Sequence, residues 1–266
     1  MSIDCRSLAC PRDRGNLVPT SQGACCESCG QLFPLREGIL CLLPDQLEQG
    51  SGDLAWQCKR QEQQARDAQA GRYDRMLGLR LLTHLERPHV LRAVALQRDQ
   101  VVLDAGCGTG RLTTALARRC RVVAVDFSLA SLVRCRRKLE RQGLAATLVQ
   151  GDITHLPLAA GAVDALASCQ VIEHLPGAPD RERALREFHR VLRPGGRLVA
   201  TAYHYNWATR WFGPREGYHR GGIFYHRFAL PEYRALLQDH FELSAVRPLG
   251  GYLLLAAGRK PMEETS

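Results

Sequence analysis

Val101-Val102-Leu103-Asp104-Ala105-Gly106-Cys107-Gly108-Thr109-Gly110 decides how the rest of this 266-residue chain is read. The apolar run Val101 to Leu103 predicts a buried strand, which breaks into three alternating glycines. The segment behind them sets Leu112, Ala115 and Leu116 on one side and Arg118 and Arg119 towards the other, which predicts a helix. Strand, tight glycine turn and helix form the context of a nucleotide-binding loop. Glycine belongs there because the turn takes backbone angles a side chain forbids and because the ligand packs on the main chain. A dinucleotide fold uses G-x-G-x-x-G to bring a helix N-terminus to a pyrophosphate. Here the spacing is G-x-G-x-G behind Asp104. A carboxylate beside the loop suits a cationic ligand better than a pyrophosphate.

Four downstream segments extend this reading. Arg121 to Val125 predicts a second strand ending in Asp126. An acid ~20 residues past the glycines is placed to accept both hydroxyls of a ribose. Ala146 to Gln150 predicts a third strand, followed by Gly151-Asp152-Ile153. Val163 to Cys169 predicts a fourth, with the tail Gln170-Val171-Ile172-Glu173-His174-Leu175-Pro176. Phe188-His189-Arg190-Val191-Leu192-Arg193-Pro194-Gly195-Gly196 then closes a helix, with Asp180 as its N-cap, and opens a fifth strand. In order and separation these segments resemble the class I S-adenosylmethionine (SAM) methyltransferases, specifically the broad group that includes quinone-biosynthesis enzymes. The resemblance is close over about 100–203. It implies an α/β fold with a Rossmann-like seven-stranded sheet, SAM as cofactor, and cofactor contacts at Asp104, Ala105, Gly106, Gly108, Asp126, Phe127, Asp152, Ile153 and Gln170. In the family the acid at Asp152 takes the adenine amino group, and a flap tyrosine matched by Tyr73 reaches the methionine end.

Composition sets outer limits. The apolar fraction of 45% and charged fraction of 24% are ordinary for a globular chain. No run of about 18 apolar residues predicts a membrane span. The N-terminus lacks an apolar leader core, so a cytoplasmic protein is expected, its eleven cysteines reduced or holding metal. The net charge of +9 fits attraction to RNA or an acidic partner. Against that, the basic residues form no block.

The first forty residues read as a small separate module. Cys10-Pro11-Arg12-Asp13 precedes Cys26-Glu27-Ser28-Cys29, whose C-x2-C spacing points two sulfurs at one tetrahedral ion. The module resembles the zinc-ribbon partners that activate tRNA and protein methyltransferases, but Asp13 stands where that family has a second cysteine. The expected zinc ligands are Cys10, Cys26 and Cys29 with Asp13 or Cys5 as the fourth, and Cys25 as a further candidate. A ribbon that has lost its metal is the alternative.

The expected organisation is thus a zinc-ribbon-like module at 1–44, a helical linker and cofactor flap at 45–98, and a methyltransferase domain at 99–260. Within 45–98, Lys59 to Ala70 reads as a solvated helix, and 77–96 as helical with a break at Pro88. An aromatic crowd at about 203–228 follows the fifth strand and is expected to wall the acceptor. Two strands near the C-terminus match the family's closing hairpin. Cys169 lacks a preceding proline and reads as packing.

His174, just past the fourth strand, and His204, at the end of the fifth, are the candidate bases, because histidine titrates near neutrality. The leading expectation is methyl transfer from SAM to a small aromatic or lipid-like acceptor. An RNA base methyltransferase, with RNA as partner, is the alternative. A non-catalytic SAM-binding scaffold is a second alternative, opposed by the intact cofactor acids.

Overall fold

The computed structural model describes residues 5, 7–43, 54–73, 77–95, 97–219 and 221–262. Among the described residues, thirteen strands are arranged as β1 (Leu17–Thr20), β2 (Gly23–Cys26), β3 (Leu32–Arg36), β4 (Ile39–Cys41), β5 (Val101–Ala105), β6 (Arg121–Asp126), β7 (Thr147–Gln150), β8 (Val163–Cys169), β9 (Leu192–Tyr203), β10 (Glu216–Tyr218), β11 (Phe224–His226), β12 (Glu242–Leu249) and β13 (Leu253–Arg259). The helices are α1 (Leu54–Tyr73), α2 (Leu77–Val94), α3 (Thr113–Leu116), α4 (Leu129–Arg141), α5 (Ala178–Val191) and α6 (Leu230–Gln238).

The central sheet runs β7-β6-β5-β8-β9-β13-β12. Its first five strands are parallel and β13 is antiparallel to both its neighbours. This is the expected seven-stranded arrangement. The strands are apolar on both faces because helices cover both. The period of two divides them cleanly. Leu103, Ala105, Val123, Val125, Leu166 and Leu198 enter one core with Leu185, Phe188 and Val191 of α5 and Tyr233 and Leu237 of α6. Val102, Val122, Ala124, Ala165, Ala167 and Val199 enter the other with Val90 and Val94 of α2, Leu116 of α3 and Leu132 of α4.

The N-terminal ribbon is continuous with this sheet. β1 to β4 pair antiparallel in sequence, and β4 then pairs parallel with β7, Leu40 opposite Val149 and Cys41 opposite Gln150. The ribbon thereby covers the β7 edge, which would otherwise present unpaired main chain. Its Leu8, Cys10, Ala24 and Phe33 are buried in the same core as Phe188. Arg14 locks the join, donating to the Leu156 carbonyl at 2.8 Å and to Glu187 at 3.0 Å.

Three local readings change. Helix α2 runs unbroken through Pro88. The ring costs one main-chain bond, but Pro88 is exposed while Glu86, Val90 and Val94 anchor the helix on the sheet. The N-cap of α5 is Gly177, and Asp180 instead lies in the first turn, where its charge suits the helix dipole. Helix α1 is not a solvated helix, as the cleft shows.

Candidate active site

The loop from β5 to α3 forms the floor of a cleft at the C-terminal ends of the parallel strands. That is where ligands sit in open α/β sheets. Gly106 (φ +77°) has no room for a side chain, since a Cβ there would lie 2.5 Å from Val171 Cγ2. Gly108 (φ +52°) faces open space, with nothing within 4 Å of where a Cβ would stand. One glycine keeps the loop packed against the β8 tail; the other leaves a bare main chain toward the cleft.

The strand-tip acids converge on this space. Asp104, Asp126 and Asp152 all line it, as do Phe127, Ile153, Gln170 and His174. Asp126 already orders the loop. Its two oxygens accept the Gly108 amide at 2.7 Å and the Ser128 amide at 2.9 Å, which leaves a lone pair on each for another donor. Burial pushes its carboxyl above the ordinary range. Burial pushes Asp104 up to about 7 even though the Thr113 hydroxyl donates to it at 2.6 Å and Arg111 lies nearby. A cation in the cleft would reverse that shift. Burial also works against ionisation of Asp152, but Lys59 and the Thr154 amide outweigh it and hold that carboxyl low. Ala105 is buried within β5 and does not line the cleft.

Helix α1 covers the opening. Lys59 donates to Asp152 at 2.7 Å and to the Thr154 hydroxyl at 2.8 Å. One turn on, Gln63 donates to the Phe127 carbonyl at 2.8 Å, and Asp67 accepts from the Ser128 hydroxyl and the Ala130 amide. Lys59, Gln63 and Asp67 are spaced i, i+4, i+8 and share a face. The inward side of this helix is polar because its partners are carboxylates and carbonyls, so it lacks the apolar stripe that marks a packed helix. Tyr73 ends α1, and its side chain lies outside the described residues.

A buried carboxylate on α2 braces the cleft from below. Glu86 accepts from Gln170 Nε2 at 2.9 Å and from the Thr201 hydroxyl, and pairs with Arg111 at 2.9 Å. It thereby joins the residue behind the glycine loop, the tail of β8 and strand β9. Gln170 carries φ +59°, a costly angle for a side-chain-bearing residue. Its Oε1 is buried and has no partner. Gln170 lines a cleft that also holds bare main chain and three carboxylates, a lining that suits a ligand carrying an amine, hydroxyls and positive charge. SAM is such a ligand, and these residues fit it.

Past Gln170 the cleft is lined by Val171, His174 and Leu175. His174 is buried, and its Nδ1 is 2.7 Å from the Phe224 carbonyl. A carbonyl only accepts, so Nδ1 carries the proton and Nε2 keeps its lone pair. Burial and the neighbouring Arg66 guanidinium hold this histidine well below its ordinary value, hence neutral. Cys169 also lines the cleft, and burial keeps its thiol protonated. His204 does not reach the cleft. Asn206 Nδ2 donates to its Nδ1 at 2.9 Å, and its main chain bridges Phe228. The expected aromatic wall is not there either. Among the described residues of the insert only Ile223 lines the cleft, while Trp207, Trp211 and Tyr218 face solvent.

A second cluster sits in the ribbon. The ligand atoms of Cys10, Asp13, Cys26 and Cys29 all lie within 4.8 Å of one another. Cys10 and Cys29 sulfurs are 3.8 Å apart, and Cys26 Sγ is 3.4 Å from Asp13 Oδ1. Two sulfurs on a tetrahedral zinc at Zn–S about 2.3 Å stand about 3.8 Å apart, so the set fits zinc. Cys25 turns away, towards the Cys26 and Gly30 carbonyls.

Comparison with known proteins agrees with this geometry. Residues 103–200 match the family described as Methyltransferase domain. The demethylmenaquinone methyltransferase of Lactiplantibacillus plantarum is 36% identical over 141 residues, 50% of this chain and 58% of that protein. That of Geobacillus stearothermophilus is 32% identical over 177 residues, 64% of this chain and 71% of that protein. The chain belongs to the SAM-dependent methyltransferase family. It spans about half the length of several curated relatives, for example 52% of the Thermus thermophilus demethylmenaquinone methyltransferase. Among solved structures, this methyltransferase resembles the complex of the Haloferax volcanii Trm112 methyltransferase activator with a methyltransferase. The TM-score is 0.63 at 20% identity, covering 77% of this chain and all (100%) of that one. It also resembles the Burkholderia thailandensis 1,6-didemethyltoxoflavin-N1-methyltransferase, with a TM-score of 0.57 at 24% identity, covering 74% and 87%. These structural likenesses are of fold.

Sequence reading of the methyltransferase missed Lys59, Gln63, Arg66, Glu86 and Arg111. For Glu86 a cue exists: it is an acid on the stripe Leu82, Val90, Val94 that buries against the sheet.

Proposed function

We propose that the protein transfers a methyl group from SAM to a small lipid-like acceptor of the quinol type. The observation that carries this reading is the convergence, in one cleft, of bare glycine main chain, three strand-tip acids and a neutral histidine. The relatives named demethylmenaquinone methyltransferase support the acceptor class. Asp126 would hold the ribose hydroxyls, Asp152 the adenine amino group beside Lys59, and Gln170 and Asp104 the charged methionine end. Bound SAM supplies an electrophilic methyl on a sulfonium that leaves as a neutral thioether, so no general acid is needed. His174 Nε2 takes the proton from the acceptor, while its Nδ1–H stays tied to the Phe224 carbonyl. Helix α1 and the β10–β11 hairpin shield the reacting centre from water.

The test is transfer of labelled methyl to a prenylated naphthoquinol. Wild type should turn over. His174→Gln should lower kcat by about 10²–10⁴-fold with little change in KM for SAM. No transfer to the quinol, alongside transfer to RNA that falls steeply with salt, would replace this reading with the RNA one.

We also propose that Cys10, Asp13, Cys26 and Cys29 hold one structural zinc. Elemental analysis of protein purified without chelator should return one zinc per chain, and a zinc-free folded protein would end the proposal.

A further inference from the structure

The insert between β9 and α6 spends buried polar groups on holding two tryptophans in water. Trp207 and Trp211 are each 77% exposed, and the chain has only three tryptophans. The turn that carries them is pinned from inside. Asn206 Oδ1 accepts the Ala208 and Thr209 amides at 2.9 and 3.0 Å, and its Nδ2 donates to the Gly251 carbonyl at 2.7 Å. The buried Thr209 hydroxyl donates to the His204 carbonyl at 2.9 Å. The buried guanidinium of Arg227 donates to the Thr209 and Gly213 carbonyls at 3.2 and 3.1 Å. Exposure of large aromatics on a framework this well tied is a standing cost unless something covers them.

We propose that this insert docks the protein on an anionic phospholipid bilayer, next to the mouth through which a lipid-like acceptor enters. The reading rests on the acceptor class proposed above. Indole is the side chain that settles at the boundary between headgroup and acyl chain, apolar face down and N–H to water. Residues 203–215 contain Arg210 and Arg215 and no acid; Arg215 is paired with Glu232 at 2.5 Å, so the charge offered to anionic headgroups beside the tryptophans is that of Arg210. The Arg210 guanidinium lies 5.7 Å from the Trp211 ring centroid, so cation and indole present together. Tyr218, 71% exposed, adds a third interfacial aromatic from the hairpin. The same hairpin connects this surface to the chemistry. His219, next in sequence to Tyr218, packs 5.7 Å from the His174 ring, and Ile223 lines the cleft. The hairpin thus links the surface that carries Tyr218 to the residues of the cleft.

The experiment is flotation of the full chain with phosphatidylcholine vesicles with and without phosphatidylglycerol, read together with tryptophan emission. The protein should float with the phosphatidylglycerol vesicles and its emission should shift to the blue. The Trp207→Ser/Trp211→Ser double variant should bind about tenfold more weakly or worse. Arg210→Glu should remove most of the dependence on phosphatidylglycerol. Both should keep the wild-type melting temperature and affinity for S-adenosylhomocysteine, which shows that they fold. Absence of flotation, or flotation undiminished in the double variant, would overturn the proposal. So would a surface that instead retains an oligoribonucleotide and loses it with the same two substitutions. Flotation needs no methyl acceptor, so its outcome stands apart from the acceptor reading. Turnover of a detergent-dispersed quinol without flotation ends the docking alone, and flotation without turnover ends the acceptor alone.

Discussion

Glu173 is a carboxyl that burial keeps protonated at neutral pH. It is wholly buried, and burial, eased only in part by nearby amides, pushes its carboxyl up to about 8. Its folded value lies above the ordinary 4.5, so the folded state holds a proton that the unfolded chain releases. The stabilisation this brings is complete below pH 4.5 and is lost as pH rises through about 8. The ligand-free protein should therefore lose denaturant resistance between pH 5 and pH 9, by at least about 1.4 kcal/mol from this residue, one unit's worth. Glu173→Gln keeps the shape and removes the proton, so its stability should change less with pH. An identical slope in the two proteins would refute the assignment. For His174 the shift runs the other way: burial holds it well below its ordinary value, so it is neutral at physiological pH.

At the scale of elements, α2 matters through Glu86. Replacing it with alanine strips the carboxylate from Arg111 and the acceptor from Gln170, both beside the cofactor loop. Breaking a buried pair costs about 3–5 kcal/mol, so Glu86→Ala should fall well below the wild type in thermal unfolding. Glu86→Gln keeps an oxygen for Gln170 and should recover part of that loss; equal loss in both variants would mean that packing alone matters. The elements also differ in how plainly the sequence announced them. β5, β6 and β8 were legible because parallel strands covered on both faces are runs of Val, Leu and Ala, and β5 breaks into the glycines at 106, 108 and 110. Asp104, Asp126 and Asp152 followed as the acids at strand tips. The role of α1 was hidden, since Lys59, Gln63 and Asp67 face inward to meet carboxylates and carbonyls and so look like surface residues. The insert misled in the opposite sense. Its aromatics suggested a wall, but aromatic composition does not say which side faces inward, and there the hairpin turned Ile223 to the cleft and Tyr218 to solvent.

On the scale of the whole molecule, the ribbon and the central sheet form one hydrogen-bonded body of eleven strands. A metal held by Cys10, Asp13, Cys26 and Cys29 would contribute on the order of 10 kcal/mol to folding. Because β4 seals the β7 edge, that energy would be felt at the strand that leads to Asp152, so chelation should lower the melting point of the whole chain. Among the described residues, no helix is long and apolar enough to cross a membrane, so contact with a bilayer would be made at the surface by the insert. The most direct test of the central claim is calorimetric titration of the intact protein with S-adenosylhomocysteine, beside Asp126→Ala. The account predicts one saturable site in the wild type. It predicts an affinity about 10²-fold weaker in the variant, which has lost the acceptor for two hydroxyls, each bond to a charged group being worth about 1.5–3 kcal/mol. No heat with the wild type, or equal affinity in the two proteins, would contradict it.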